Sequence, residues 1–402
     1  ASITPEACAT TRCAEPMRIG IDIRVADPAD PGQQRYLWRL GAWLAESGHE
    51  THFLSVKRQA PGVEAPSGAE LHALSRAQLT MAISDLELDA LLLNPERSRA
   101  YRGIRANVLR AAYGTDHYSQ KLRSFRRPAE RALRGVWRKA PWALAEARWE
   151  RGFYEDTQPP PHVIAQSAYM RAQILESYEV PEDHVHVIHN AVDTSEFSLE
   201  RRLALRDEMR ARWSIPDGVF CLLFLGHNYR LKGLWQLLQV LGRLRGEGIH
   251  LLVAGSGTGA GQRKKAERLI RATGLEAAVT IAGSVRPSLH ALAAADALVH
   301  LSWHDSFGFA VLEAMASGLP VVTTPYAGAS ELIEKGVSGL VVDPADDDDV
   351  LAAVRILLDP ELRDRMSRAA AAIGGAQDEP SNFVRVLEVI ERAAVERGKP
   401  VR

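Results

Sequence analysis

Cysteine is scarce in this chain: Cys8, Cys13 and Cys221 are the three in 402 residues. Two sit in a polar N-terminal stretch and one in a very apolar one. They form neither a disulfide framework nor a zinc-binding cysteine set, and a reducing compartment fits them best. Long apolar runs are missing as well; none reaches the ~18 residues that a bilayer-spanning helix needs. The stretch before Met17 has no apolar h-region, so no secretory signal is expected there. Excess charge of one sign is also lacking. Lys and Arg number 49 against 50 Asp and Glu, a net charge of −1, which argues against a globally basic nucleic-acid binder. What remains is an ordinary globular composition, 46% hydrophobic and 25% charged, with ample apolar mass for a core. At roughly 100–200 residues per domain, two domains are the simplest reading.

Periodicity supports that division. Met17 to Ile23 alternates apolar residues and reads as a strand. After a Pro/Asp/Gly loop, Tyr36, Leu37, Leu40, Trp43 and Leu44 recur at helical spacing, with Gly48 placed to end the helix. Thr51 to Val56 reads as the next strand, completing a βαβ unit of a parallel sheet. Ala90–Leu93 and Val163–Gln166 are further strand candidates. A second series starts with the buried-strand pattern of residues 219–225. Helices follow near 233–244, 262–273, 287–294 and 309–317, alternating with strands near 250–254, 279–282, 297–301 and 320–323. The pattern predicts an α/β chain of two Rossmann-like doubly wound domains, residues 17–198 and 199–375, followed by a final amphipathic helix within 376–402. Residues 1–16 are expected to be a disordered tail or an added segment.

Between Lys121 and Arg151, ten Lys and Arg stand against three acids, with Trp137, Trp142 and Trp149 interleaved. This is either a solvated helical pair whose tryptophans pack inward, or a surface for anionic lipid headgroups. No recognised nucleic-acid fold accompanies it.

Doubly wound sheets bind ligands at the carboxyl ends of their strands. One loop there, Gly226 to Gly233, carries Arg230 and Lys232 into the start of a helix, where free amides already favour anions. A diphosphate suits it; two solvated cations are the plain alternative. A second loop runs from His300 to Phe309. Asp305 precedes a helix, and Glu313 lies eight residues on, among Val, Leu, Ala and Met. A carboxylate on so apolar a helix needs donors, which ribose hydroxyls or a structural ion pair would supply. The amides around Ser306, Phe307, Gly308 and Phe309 could hold a phosphate, unless Asp305 or Ser306 merely caps the helix.

Asp305 and Glu313, within the run from Asp305 to Val322, resemble the acidic pair of glycosyltransferase family four. His189 to Phe197 resembles that family's interdomain segment, Gly226 to Gly233 its donor-phosphate loop, and Ala282 to Val285 its base-binding turn. The segment 111–151 is similar, more faintly, to lipopolysaccharide core glucosyltransferases. The resemblance implies a GT-B fold, two Rossmann-like domains facing a cleft, with the last helix crossing back to the N-terminal domain. It implies metal-independent, retaining transfer of a sugar, with a UDP-sugar as the expected donor and a membrane-associated glycolipid, lipopolysaccharide or polysaccharide precursor as acceptor. No resident cofactor is implied, and the expected location is cytoplasmic, peripheral at the inner face of an anionic membrane. Glu313 would hold the ribose; Arg230, Lys232 and the amides of residues 306–309 the diphosphate; the Val285 backbone the base; and Asp305 the donor sugar. Two departures stand out. The family usually has Glu at position 305, and it usually has paired glycines in the N-terminal loop, where this chain has Gly32 alone. Asp116 or His117 falls where relatives keep a polar catalytic residue, and a surface or structural histidine is the alternative.

Two patterns are expected to be decoys. Gly255, Gly257 and Ala260 fit a loose dinucleotide fingerprint, but mid-series, which favours a tight turn over a nicotinamide site. The four aspartates 346–349 precede an amphipathic helix, which favours capping over a metal. A sugar-nucleotide epimerase or phosphorylase of the same architecture, and a nicotinamide-dependent oxidoreductase, are the alternative activities.

Overall fold

The computed structural model describes residues 15–27, 32–59, 62–94, 104–111 and 141–398. The alternating Ile19, Ile21 and Ile23 are buried in strand β1 (Arg18–Ala26). Helix α1 (Gln33–Glu46) covers that strand with Tyr36, Leu37, Leu40 and Leu44, and ends at Ser47 with Gly48 in the left-handed region at φ 93°. Then come β2 (Glu50–Gln59), β3 (Ala69–Ala73), α2 (Arg76–Asp85), β4 (Ala90–Leu93), β5 (Val108–Ala111), α3 (Pro141–Glu155), β6 (His162–Ala165), α4 (Ala168–Ser177) and β7 (Val185–Val187). They form a seven-stranded parallel sheet in the order β3-β2-β1-β4-β5-β6-β7.

The second unit opens with α5 (Leu199–Arg212), then β8 (Phe220–Leu225), α6 (Leu234–Arg243), β9 (Ile249–Ala254), α7 (Ala260–Thr273), β10 (Val279–Gly283), α8 (Ser288–Ala294) and β11 (Ala297–His300). It continues through α9 (Phe309–Ala316), β12 (Val321–Thr323), β13 (Gly339–Val341), α10 (Asp347–Ile356) and α11 (Pro360–Gly375). Its six parallel strands run β10-β9-β8-β11-β12-β13. The continuous apolar run of β8 is explained by burial on both faces, with Cys221 to Leu223 fully inaccessible. Neither β3 nor β13 has a clear sequence signature, since both are short edge strands.

The chain crosses between the units twice. His189 to Phe197 carries it out, and α12 (Glu379–Arg397) carries it back. The two crossings touch: Val192 N donates to Gln377 O at 3.1 Å, and the Asn382 amide donates to His189 O. Phe383, Val386, Ile390 and Ala393 of α12 join the same core cluster as Ile19, Tyr36 and Leu37. The last helix therefore completes the N-terminal unit.

A histidine cluster adds a pH-dependent tie there. His162 on β6 donates to or accepts from His186 on β7 at 2.9 Å and meets Glu396 of α12 at 3.0 Å. Burial, then the neighbouring His162, holds His186 down at about 4. A depressed histidine stabilises the fold while neutral, so this contribution is present above its ordinary value near 6.5 and is lost as pH falls toward about 4. The thermal midpoint is expected to drop across that window and to drop less in His186→Gln, as read by melting curves at several pH values.

Trp149 lies against the N-terminal core and packs edge-on to Phe153 with centroids 5.1 Å apart. For that tryptophan the inward-packing reading holds. Residues 112–140, with most of the basic segment, lie outside the described residues.

Candidate active site

Strand order reverses beside β1 in the first sheet and beside β8 in the second, and crevices open at the carboxyl ends of such strands. The loops leaving β8 and β11, residues 226–233 and 301–308, flank the second of these points. They are laced together. Trp303 N donates to Leu231 O at 2.8 Å, and Gly233 sits at φ 78° where a Cβ would stand 2.3 Å from Leu301 O. Only glycine fits. Gly233→Ala is expected to destabilise the fold by about 2 kcal/mol or more, from the left-handed backbone plus that clash, measured by denaturant unfolding.

This lacing brings Lys232 onto Asp305. Lys232 Nζ donates to Asp305 Oδ2, and His300 Nε2 donates to the same oxygen at 3.2 Å. Burial pushes the Asp305 carboxyl upward, but the Lys232 charge and the His300 bond outweigh it and hold it well below the usual carboxylate range. His300 is itself buried, which lowers its basicity and keeps it the neutral donor of the pair. Gly308 leaves room for the carboxylate, since a Cβ there would lie 3.2 Å from Asp305 Oδ2.

Helix ends divide into two kinds. Those of α4, α5, α10, α11 and α12 are capped by Ser167, Ser198, Asp346, Asp359 and Asp378 side chains. Helices α1, α6, α7 and α9 begin after Gly32, Gly233, Gly259 and Gly308, and α8 after Pro287, with no side-chain cap. Of these, α1, α6 and α9 start at the crevice. A Cβ on Gly32 would lie 3.7 Å from the Phe309 ring, so the loops of the two units meet there. Helix N-termini converging at one place make a field suited to an anion, with the first amide of α6, Leu234 N, already donating to Tyr229 O at 2.8 Å.

Glu313 is buried, at 4% exposure, on the apolar helix α9. Arg35 Nη2 of α1 donates to its Oε1 at 3.1 Å, and Ser288 Oγ of α8 donates to its Oε2 at 2.7 Å. Burial raises its pKa above the ordinary value, with Arg35 pulling in the opposite direction. Arg35 also pairs with Glu196 at 3.3 Å, so one guanidinium ties α1 to the crossing segment and to the second unit. The sequence raised a structural ion pair as the alternative to ribose binding, and this contact is one. Each oxygen retains a second acceptor position. Arg230 is partly exposed on its loop, Val285 packs at the edge of the second core, and Ser306 O accepts from Ser167 Oγ across the interface at 3.0 Å.

Three contributors carry no local signal: Arg35, Ser288 and His300. Each acts through a partner brought near by the fold. Asp116 and His117 lie outside the described residues. In the loose dinucleotide pattern, Gly255 allows a close approach of two loops: a Cβ there would stand 2.0 Å from Gly226 O, and Tyr229 Oη donates to Gly255 O. The four aspartates are explained by α10, with Asp346 Oδ1 accepting from the Asp348 and Asp349 amides.

Residues 31–196 match the model of Glycosyltransferase Family 4, and residues 206–372 match that of Glycosyl transferases group 1. The chain belongs to the glycosyltransferases. Its relatives include a D-inositol 3-phosphate glycosyltransferase of Arthrobacter sp. (strain FB24). That relative is 37% identical over 218 residues, covering 52% of this chain and 50% of its own. The alpha-D-kanosaminyltransferase of Streptomyces kanamyceticus is 31% identical over 214 residues, 52% and 54% of the two chains. This glycosyltransferase chain thus spans about half the length of the curated relatives it matches. Among solved structures, WaaG, a glycosyltransferase involved in lipopolysaccharide biosynthesis, superposes with TM-score 0.74 at 18% identity, covering 92% of this chain and 99% of that one. Anabaena Alr3699/HepE, solved with UDP and glucose, gives 0.70 at 18% identity, covering 94% and 100%. These likenesses show that the glycosyltransferase has the GT-B fold.

Proposed function

We propose that the crevice binds a nucleoside diphosphate sugar, a UDP-sugar in the first instance, and transfers the sugar to an acceptor hydroxyl held by the N-terminal unit, with retention at the anomeric carbon. The observation that carries this is the convergence of Lys232 and the uncapped start of α9 beside the buried Glu313. Glu313 takes the ribose hydroxyls on its remaining acceptor positions, and the Val285 backbone meets the base. Asp305 Oδ1, which neither Lys232 nor His300 engages, accepts from a hydroxyl of the sugar. Lys232, Arg230 and the amides of residues 306–309 stabilise charge on the departing diphosphate, the work a divalent ion does in other transferases. The acceptor oxygen bonds to the anomeric carbon, the carbon–phosphate oxygen bond breaks, and the acceptor proton passes to the leaving phosphate. Asp116 or His117 orients the acceptor. Turnover is expected to persist in EDTA.

Thermal shift with UDP, GDP, ADP and NAD tests the donor. A nucleotide at about 100 times its Kd stabilises by about 2.7 kcal/mol. UDP is expected to act and NAD to be silent; the reverse overturns the reading, and product analysis with a labelled donor separates transfer from epimerisation.

The acceptor is proposed to be a glycolipid or polysaccharide precursor at an anionic membrane, on the strength of the basic Trp-bearing segment. Among the described residues no helix is long and apolar enough to cross a membrane. Replacing Arg126, Arg127, Arg131 and Arg134 by Gln is expected to weaken vesicle binding while sparing donor hydrolysis. Vesicle binding by the parent protein that does not fall with salt contradicts the idea.

A further inference from the structure

We propose that His52, His72 and Glu70 form a divalent transition-metal site of the zinc class that fastens the edge strand β3 to β2. The two strands pair in parallel with His52 opposite Glu70 and Leu54 opposite His72. A period of two places Glu70 and His72 on one face of β3, and Glu50 and His52 on one face of β2. His52 Nδ1 lies 3.1 Å from His72 Nε2, and Glu70 Oε2 lies 3.6 Å from each of these nitrogens. Ligands bonded tetrahedrally to zinc at ~2.0–2.1 Å stand roughly 3.3 Å from one another. Three protein atoms already have that spacing, and a water completes the set.

A second observation concerns the back of the His52 ring. Its Nε2 lies 3.1 Å from Glu50 Oε1, and Glu50 is held in turn by Arg18 Nε at 3.0 Å. A carboxylate accepting from one ring nitrogen fixes the tautomer and turns the lone pair of the other toward the ion, the usual support of a metal-bound histidine. His52 is 2% exposed, whereas Glu70 is largely exposed and opens the site to solvent. The other histidine cluster lacks this geometry. His162 and His184 stack with planes 6° apart, and lone pairs in parallel ring planes run side by side rather than converge. His52 and His72 are tilted by 40°.

His52 is the third residue of β2, toward its amino end, whereas the crevice lies at the carboxyl ends of the strands. The ion therefore secures an exposed edge and takes no part in the transfer, and the proposal stands independently of the donor reading.

The test is titration of the chelator-stripped full chain with Zn²⁺ by calorimetry and with Co²⁺ by visible absorption. One equivalent with a tetrahedral cobalt band is expected, together with a raised melting temperature in Zn²⁺. His72→Gln is expected to lose that equivalent and His184→Gln to keep it. Glu50→Gln is expected to weaken Zn²⁺ ten- to a hundredfold. Glu70→Gln alters only an exposed side chain, guards against misfolding, and is expected to weaken Zn²⁺ at least tenfold. Loss of the equivalent in His184→Gln but not in His72→Gln, unchanged uptake in both His72→Gln and Glu70→Gln, or no zinc binding by the parent chain overturns the proposal.

Discussion

Lys232→Ala is expected to lower kcat/KM by roughly ten- to a hundredfold, from loss of a charge-assisted contact to a dianion worth ~1.5–3 kcal/mol. The substitution also strips Asp305 of the cation that keeps it ionised, leaving His300 as its remaining partner at this junction. A fall in stability is therefore expected alongside the fall in rate, because one member of a partly buried ion pair has been removed. Lys232→Met with Asp305→Asn removes both charges at similar volume. That double variant should melt closer to the parent and remain inactive. Recovery of turnover in it would mean that Lys232 serves the fold alone.

The second large effect falls on Glu313, with the opposite sign for stability. Burial raises its pKa, so the folded state favours the protonated form; that contribution is fully present below the ordinary value near 4.5 and is lost as pH rises through the raised value and the carboxylate forms. Glu313→Gln is expected to leave the melting temperature at neutral pH unchanged or higher. Arg35 is not orphaned by the change, since it keeps Glu196. Glu313→Ala removes the ribose acceptor altogether and is expected to weaken UDP and lower kcat/KM by roughly ten- to a hundredfold. Calorimetry with UDP reads the effect separately from transfer. Arg35→Ala serves as the control: it opens the contact between the units while leaving the carboxylate in place.

The positions of these residues were legible to different degrees. Strands β8, β9 and β11 are buried on both faces or nearly so, and an apolar run states that directly. The αβ alternation then places residues 226–233 and 301–308 at the carboxyl ends without any coordinates. Glycine told more than it seemed to. Gly233 and Gly308 are where loops press on Leu301 and on Asp305, and each also leaves a helix start uncapped. The partners of the site were not legible. Arg35 reaches Glu313 across 278 positions, and Ser288 reaches it across 25. Neither spacing has a period or a motif, and only the packing of α1, α8 and α9 creates the contact. His300 ends β11 in a sequence where its neighbours are apolar, and nothing local says that it supports Asp305. The edge strand β3 was missed because a half-exposed strand has weak alternation, and its His72 and Glu70 gain meaning only from β2 beside it.

The most direct measurement is a crystal structure of the chain with UDP. The account predicts the β-phosphate within ~2.7–3.2 Å of Lys232 Nζ and of the first amides of α9, with the ribose hydroxyls on Glu313. A diphosphate seated elsewhere, with Glu313 still answered by Arg35 and Ser288 alone, would contradict it.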